Sequence, residues 1–327
     1  MALTNFPNGI SSFGIPVLGG VGGIPFTGNY FFVDPVNGAD GNDGSVSLPL
    51  KTLPGALAKC TSGNNDVVFL IGDGTSAQTA RLTQKLVWNK NATHLIGIAA
   101  PTWIGSRARI SHAATAPATA FTPMVQVTAS GCMFANLSIF EGFAESAAVV
   151  TWEDQGNRNY YNTVSFQGMG NATYSADETG SACLLLTGGG EHVFENCSFG
   201  VDTVARTVAN ANIRIRSESA RNTFSNCVFP IYATNAGVLA VDANAANSLN
   251  RWVMFNGCSL LNGQNYGSAV AMTVAAVGNA AQNGTILFNN CVRNNITDYG
   301  AAGSLVKVAN SQDAVTDSTG GDFQDAS

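Results

Sequence analysis

Side chains able to do chemistry are few in this chain, so their spacing is the first question. Of its 327 residues, 21 are Asp or Glu, 15 Lys or Arg and 3 His. General acid–base or nucleophilic chemistry by carboxylates needs two of them on one exposed face. The candidates are Glu153 and Asp154, Asp177 and Glu178, Glu191 and Glu195, with Asp202 and Glu218 beyond them. Laid out on the repeat described below, no two of these fall in one outward column, so no acid pair is expected. His94, His112 and His192 are scattered, which gives a triad or a His-based metal centre no support. They are expected at the surface or at strand ends. Asp34, Asp40 and Asp43 offer oxygens, but without the spacing or terminal Glu of an EF-hand; turn formation is the expectation there. Arg214-Ile215-Arg216 puts two guanidinium groups on one solvent face of a strand. The sequence therefore predicts no catalytic residue, no metal and no cofactor.

The seven cysteines are an odd number without small-scaffold spacing, and four of them lead to the element that organises the chain. Phe194-Glu195-Asn196-Cys197-Ser198-Phe199 aligns with the segments beginning at Phe224, Phe255 and Phe288, and less closely with those at Phe134 and Tyr161. The fourth position is Leu137, Val164, Cys197, Cys227, Cys258 and Cys291, in steps of 27, 33, 30, 31 and 33 residues. A period of this size marks a solenoid, a propeller or an array. The first column (Phe134, Tyr161, Phe194, Phe224, Phe255, Phe288) and the fourth are apolar and are expected inside. Between them stand Asn136, Thr163, Asn196, Asn226, Gly257 and Asn290. Exchange of Asn for Gly marks a backbone position with φ > 0, which predicts a bend, fitted least well by the β-branched Thr163. Glu195 and Ser198 are expected to face water. The ladder cysteines read as buried thiols acting as small hydrophobes.

A second short strand precedes each copy: 124–127, 149–152, 183–186, 213–216, 238–241 and 269–272. A unit of strand, turn, strand, bend, strand and loop contains no helical pattern, which excludes helical and leucine-rich repeats. Three short strands per turn make one coil of an all-β parallel solenoid. Over residues 65–309 the chain resembles the right-handed parallel β-helix, or pectate-lyase-like, superfamily, in which asparagines stack at the bend between the second and third strands. That resemblance implies the handedness and the fold; the fold hosts lyases, hydrolases, adhesins and virion spikes. The stacked Asp, Gly-His-Gly and Arg-Ile-Lys motifs of the polygalacturonases are absent, Arg214-Ile215-Arg216 being only superficially similar to the last.

Along the chain, four segments are expected. Residues 1–30 are rich in Gly and Pro with spaced apolar residues, namely Phe6, Phe13, Ile15, Val17, Leu18, Ile24 and Phe26. They cannot form a core of their own and read as an extended attachment arm. Residues 31–64 hold a strand, a Gly/Asp loop and a short helix with Thr52 as N-cap; this segment resembles the opening of phage-encoded and bacterial β-helix proteins, where the helix plugs the first coil. The β-helix follows over 65–309, with early strands at 66–72, 82–88 and 94–98, and a last one at 305–308. Arg293 stands where an inward Phe or Leu belongs and is taken to mark the approach of the C-terminal end. Residues 310–327 are a polar tail.

Charged residues are 11% of the chain and the net charge is −6, low against the roughly 25% charged residues of soluble domains. A nucleic-acid partner is not expected. Neither a secretory signal nor an apolar run of membrane-spanning length is present, so no membrane association is expected. The resemblance of the leader to phage β-helix proteins implies a structural virion protein of a tailed bacteriophage, assembled in the host cytoplasm. It implies a head decoration or fibre, a homotrimer attached through the arm to other virion proteins, the major capsid protein foremost. The alternative is a spike that cleaves or binds a host glycan, with Trp152, Tyr160 and Tyr161 as the exposed aromatic candidates.

Overall fold

A computed structural model describes residues 27–113, 120–263, 269–281, 283–301 and 304–311, with the backbone of two short strands, Ser11–Ser12 and Ile15–Pro16. Each coil contributes strands to three parallel sheets. Sheet A holds the strands before the bend, beginning at Tyr30–Val33 and Val67–Ile71 and ending at Val306–Ala309. Sheet B holds those after it. Met133–Phe140 and Tyr160–Gln167 run through the bend without a break, so A and B join into 16 strands. Sheet C holds the second strand of each unit and has 8 strands.

The bend follows from the residues at it. Asn136, Thr163, Asn196, Asn226, Gly257 and Asn290 have φ of 52, 53, 54, 52, 63 and 52°. Asn and Gly occupy this region at low cost. Thr163 adopts it as well, its Oγ1 donating to Asn162 Oδ1 at 3.0 Å. Coil-to-coil bonding runs through the turn, since Asn196 N donates to Ser225 O, Asn226 N to Asn256 O and Gly257 N to Asn289 O, at 2.9 to 3.0 Å.

Flanking each bend, the apolar columns fill the interior. The six first-column rings are in register and buried. From Tyr161 through Phe194, Phe224 and Phe255 to Phe288, successive centroids lie 4.5, 4.4, 4.7 and 5.0 Å apart with planes within 19°. Offset stacks of this kind contribute about 0.5–1.5 kcal/mol per pair beyond burial. The cysteines are all buried and unbridged; Cys227, Cys258 and Cys291 direct Sγ at the first-column carbonyl oxygens of the preceding coil, Phe194, Phe224 and Phe255, at 3.6, 3.5 and 3.4 Å. Ser198 departs from expectation. It points away from the core but is fully buried, because its hydroxyl pairs with that of Ser165 on the adjacent strand at 2.8 Å. Glu195 is half-buried and accepts from Tyr160 Oη at 2.7 Å.

At the N-terminal end the helix Leu53–Lys59 buries Leu53, Ala56 and Leu57. Thr52 caps it, Oγ1 accepting from Gly55 N at 3.0 Å, and Asp40 fixes the cap by accepting from Thr52 N and Oγ1. Two strand expectations need correction. Residues 82–88 are two strands, Ala80–Leu82 in sheet B and Leu86–Trp88 in sheet C. The strand expected at 269–272 is Met272–Gly278, because residues 269–277 are a nearly unbroken apolar run whose periodicity does not set the register. Arg293 does point inward, buried in the last coil beneath Tyr299, with Nη1 donating to the carbonyls of Ile296 and Thr297 and its guanidinium 5.3 Å from the Tyr299 ring.

Candidate functional site

The outward face of sheet C carries Glu153, Arg214 and Asp242 in one column. Register aligns Gln126, Glu153, Leu185, Arg214, Asp242 and Val277 on successive coils. The acid that shares the Glu153 column is Asp242, which was not among the sequence candidates. Val241-Asp242 repeats the inward-outward step of Trp152-Glu153, so the signal for Asp242 lies in the polar positions of the second strands.

Each acid is satisfied by neighbours. Glu153 accepts from Gln126 Nε2 at 2.9 Å and Gln155 Nε2 at 3.0 Å. Asp242 Oδ2 meets Arg216 Nη2 at 2.7 Å and Arg214 Nε at 3.7 Å, and Oδ1 accepts from Asn244 N. Arg214 and Arg216 do share one outward face, half-buried. Three coils separate the two acids, which at ~4.8 Å per coil is about 14 Å. Two-carboxylate glycoside cleavage needs roughly 5–9.5 Å, so this column does not supply that pair.

One side of the face is roofed by the loops that leave sheet B. The next outward position toward those loops, Thr151, Cys183 and Asn212, is buried. The loop glycines allow the close approach: a Cβ on Gly168 would stand 2.5 Å from Thr151 Oγ1, and one on Gly200 2.4 Å from Asn212 Nδ2. Arg206 locks this roof, donating to Asn210 Oδ1 at 2.6 Å, Asn212 Oδ1 at 2.7 Å and Leu239 O at 3.2 Å; burial without a carboxylate partner lowers its pKa to about 10. Glu141 ties two successive loops by accepting from Phe143 N at 2.7 Å and Met169 N at 3.1 Å, and burial raises its pKa to about 7. Both lie in loops outside the repeat, where column comparison has no reach.

The remaining sequence candidates are placed elsewhere. Asp154 faces inward and is fully buried, accepting from Gly156 N, Asn159 Nδ2 and Tyr161 Oη (2.6 Å), with His192 Nδ1 3.5 Å away. Trp152 Nε1 donates to Tyr161 Oη at 3.1 Å. This group of acid, imidazole and phenol is sealed from solvent and holds the turn between sheets C and A. It corrects two expectations: Trp152 and Tyr161 are core residues, and only Tyr160 of the three aromatics is partly exposed. All three histidines are buried as well. Desolvation lowers the His94 pKa to about 4 and also lowers that of His192.

Glu191 is a half-buried ion-pair centre, 2.7 Å from Arg158 and 3.0 Å from Arg221, and Asp177 accepts from Thr207 Oγ1. Asp34 and Asp43 cap their own loop, accepting from Val36 N and Asn37 N and from Ser45 N. Among the described residues, no three His, Cys, Asp or Glu side chains converge as a metal site, and no helix is long and apolar enough to cross a membrane. Of the proposed arm, Phe6, Phe13, Val17, Leu18, Ile24 and Phe26 lie outside the described residues, and Ile15 is described by its backbone alone.

The chain matches no family model and no curated protein. Among solved structures, a rhamnogalacturonan lyase superposes with a TM-score of 0.60 at 14% identity, over 87% of this chain and 73% of that one. The pectate lyase Pel9A gives 0.59 at 15%, over 86% and 68%. ORF18 of Geobacillus virus E2 gives 0.50 at 13%, over 76% of this chain and 46% of that one. Likeness at these identities speaks for architecture alone, and it agrees with the register, the bends and the three sheets: this chain has the right-handed parallel β-helix fold of the pectate lyases.

Proposed function

We propose that the chain is a structural bacteriophage virion protein, a β-helical decoration or fibre held to the capsid at its N-terminal end. The observation that carries this reading is a change of polarity along one outward column of sheet A. From the N-terminal end the column runs Phe32, Phe69, Ile96, Ala135, Asn162, Glu195, Ser225, Asn256 and Asn289. The first coils thus carry an apolar face, which Tyr30 and Ile98 widen at 45% and 43% exposure, and the later coils are polar. A contiguous apolar patch confined to one end marks a contact surface, and its first strand follows directly in sequence on the Gly/Pro-rich N-terminal segment.

Sheet C supports the same reading, because its outward acids stand about three coils apart, Glu153 held by two glutamine amides and Asp242 paired with Arg216. The likeness to a phage protein agrees with it, and a homotrimer is the assembly proposed. The alternative, a spike that cleaves host polysaccharide, draws on the lyases that share the fold. Antibody labelling of imaged particles tests the choice: label on the head supports decoration, and label that disappears when residues 1–26 are removed supports the arm. Purified protein that depolymerises host capsule, with activity lost in Glu153→Gln, would establish the alternative instead.

A further inference from the structure

From Asp73 to Glu141 the sequence contains no acid between the two, yet it contains Arg81, Lys85, Lys90, Arg107 and Arg109. Residues 74–140 therefore carry +5 in a chain of net −6, which leaves −11 for the remainder (10 basic against 21 acidic residues). The folded chain brings three of these cations together. Arg81 lies on Ala80–Leu82 and Arg109 on Arg109–His112, adjacent parallel strands of sheet B with Arg81 opposite Ser111. Arg107 stands one alternation before Arg109, so all three project outward.

None of the three has a carboxylate in ion-pair reach among the described residues, where the paired arginines are Arg158, Arg214, Arg216 and Arg221. Arg81 donates to His112 O at 3.3 Å, and Arg109 Nε is buried without a partner. Burial first, then the fields of Arg107 and Arg81, make the Arg109 guanidinium less basic than usual. The acid nearest in register, Glu141, is occupied by the amides of Phe143 and Met169.

Four residues before Arg107, in the segment that leads into its strand, stands an exposed aromatic. The segment 99–106 crosses from sheet A to sheet B and presents Trp103 and Ile104 at 50% and 51% exposure. It leans over the same face, since a Cβ on Gly105 would lie 3.6 Å from Gln167 Nε2. Gln167 continues the outward column of Arg81, Ser111 and Phe140.

We propose that this corner of sheet B binds an acidic saccharide, with Arg81, Arg107 and Arg109 holding its carboxylate, sulfate or phosphate groups and Trp103 packing against a sugar ring. Arginine forks match planar anions, and an indole supplies a large apolar face with little entropy to lose. Nucleic acid fits less well: a strand needs a basic track with several stacking rings, whereas three cations and one indole accommodate one or two anionic groups, and the −11 remainder repels a long polyanion. The site is separate from the sheet C column, where Asp242 already satisfies the arginines, and it does not depend on how the protein is attached to a particle.

Isothermal titration of the whole chain at about 20 mM salt tests the proposal, with a chondroitin sulfate hexasaccharide, maltohexaose and the oligonucleotide dT6 as probes. The acidic hexasaccharide is expected to bind and maltohexaose not to. Affinity should fall at least tenfold in Arg81→Gln/Arg107→Gln, severalfold in Trp103→Ala, and remain unchanged in the charge control Arg158→Gln. Both arginines and Trp103 are exposed, and unchanged circular dichroism establishes that each variant is folded. Absence of binding, binding indifferent to these substitutions, or dT6 bound as tightly as the saccharide would overturn the assignment, the last by making the patch a general polyanion surface.

Discussion

Replacement of Glu141 by Gln isolates a buried charge, and linkage gives the sign of its effect. In the folded chain Glu141 keeps its proton until about pH 7, because burial disfavours the carboxylate, whereas the ordinary value is 4.5. Between those values the folded state binds the extra proton, so stability falls as pH rises. The contribution is fully present below 4.5 and is lost as pH climbs through 7. A difference of 2.5 units at 1.36 kcal/mol each amounts to about 3 kcal/mol. Gln has no such titration. It gives up one of two acceptor oxygens, leaving Met169 N or Phe143 N without one, at a cost of ~1–3 kcal/mol that is the same at every pH. The variant should therefore be the less stable protein at pH 4.5 and gain about 3 kcal/mol on the wild type by pH 8. An unfolding entropy of ~2.1 cal/mol/K per residue over 327 residues is about 0.7 kcal/mol/K, so the gain reads as roughly 4–5 °C in relative Tm. Differential scanning calorimetry of both proteins across this range measures it. The buried histidines titrate in both proteins and cancel. A Tm difference constant to within 1 °C from pH 4.5 to 8 would refute a strained carboxylate at this position.

Two further outcomes follow from the ladder. Phe224 is fully buried between Phe194 and Phe255, so Phe224→Ala should cost about 3–5 kcal/mol in denaturant unfolding; a loss below 1 kcal/mol would mean that the coils collapse freely around the void. Asn226 holds φ at 52°, so Asn226→Ala should cost ~1–2 kcal/mol while Asn226→Gly is nearly neutral, and equal losses in the two variants would move the cost from the backbone to the side chain.

The interior was legible in the sequence because solenoid geometry forces a repeat there. A ring at Phe194 must meet a ring at Phe224 in the next coil, so the same residue type recurs and the spacing becomes visible. The Asn column was legible for a backbone reason, since only residues tolerant of φ > 0 close the bend cheaply. Short strands of uncertain start were less so: residues 269–277 are apolar on both faces and fix no register. His192 is buried against expectation because its ring accepts from Asn159 N on the preceding coil, and a pair of that kind leaves no periodic trace. Ser198 was misjudged for a similar reason, as its partner Ser165 is 33 residues away.

The exterior obeys no such demand, and this explains where the informative residues lie. Stacking requires every coil to present the same core, but solvent accepts Phe69, Asn162 or Glu195 at equivalent outward positions at little cost to the ladder. Outward columns are therefore free to vary, and a run of like residues along one of them needs a cause outside the fold. Two such runs stand at the same end of the molecule. Sheet A is apolar there, from Phe32 to Ile98, and sheet B is cationic, with Arg81, Arg107 and Arg109 and no carboxylate opposed to them. Beyond these coils sheet A turns to Asn and Ser, and the charged groups of sheet C close on one another through Arg216 and Asp242. A chain that needed only a soluble shaft would have no reason to concentrate unpaired arginines and exposed Trp103 beside its apolar end. The apolar and cationic runs together make the first coils the chemically distinctive end of the fold, while the outward column of sheet A beyond them carries Asn, Ser and Glu195.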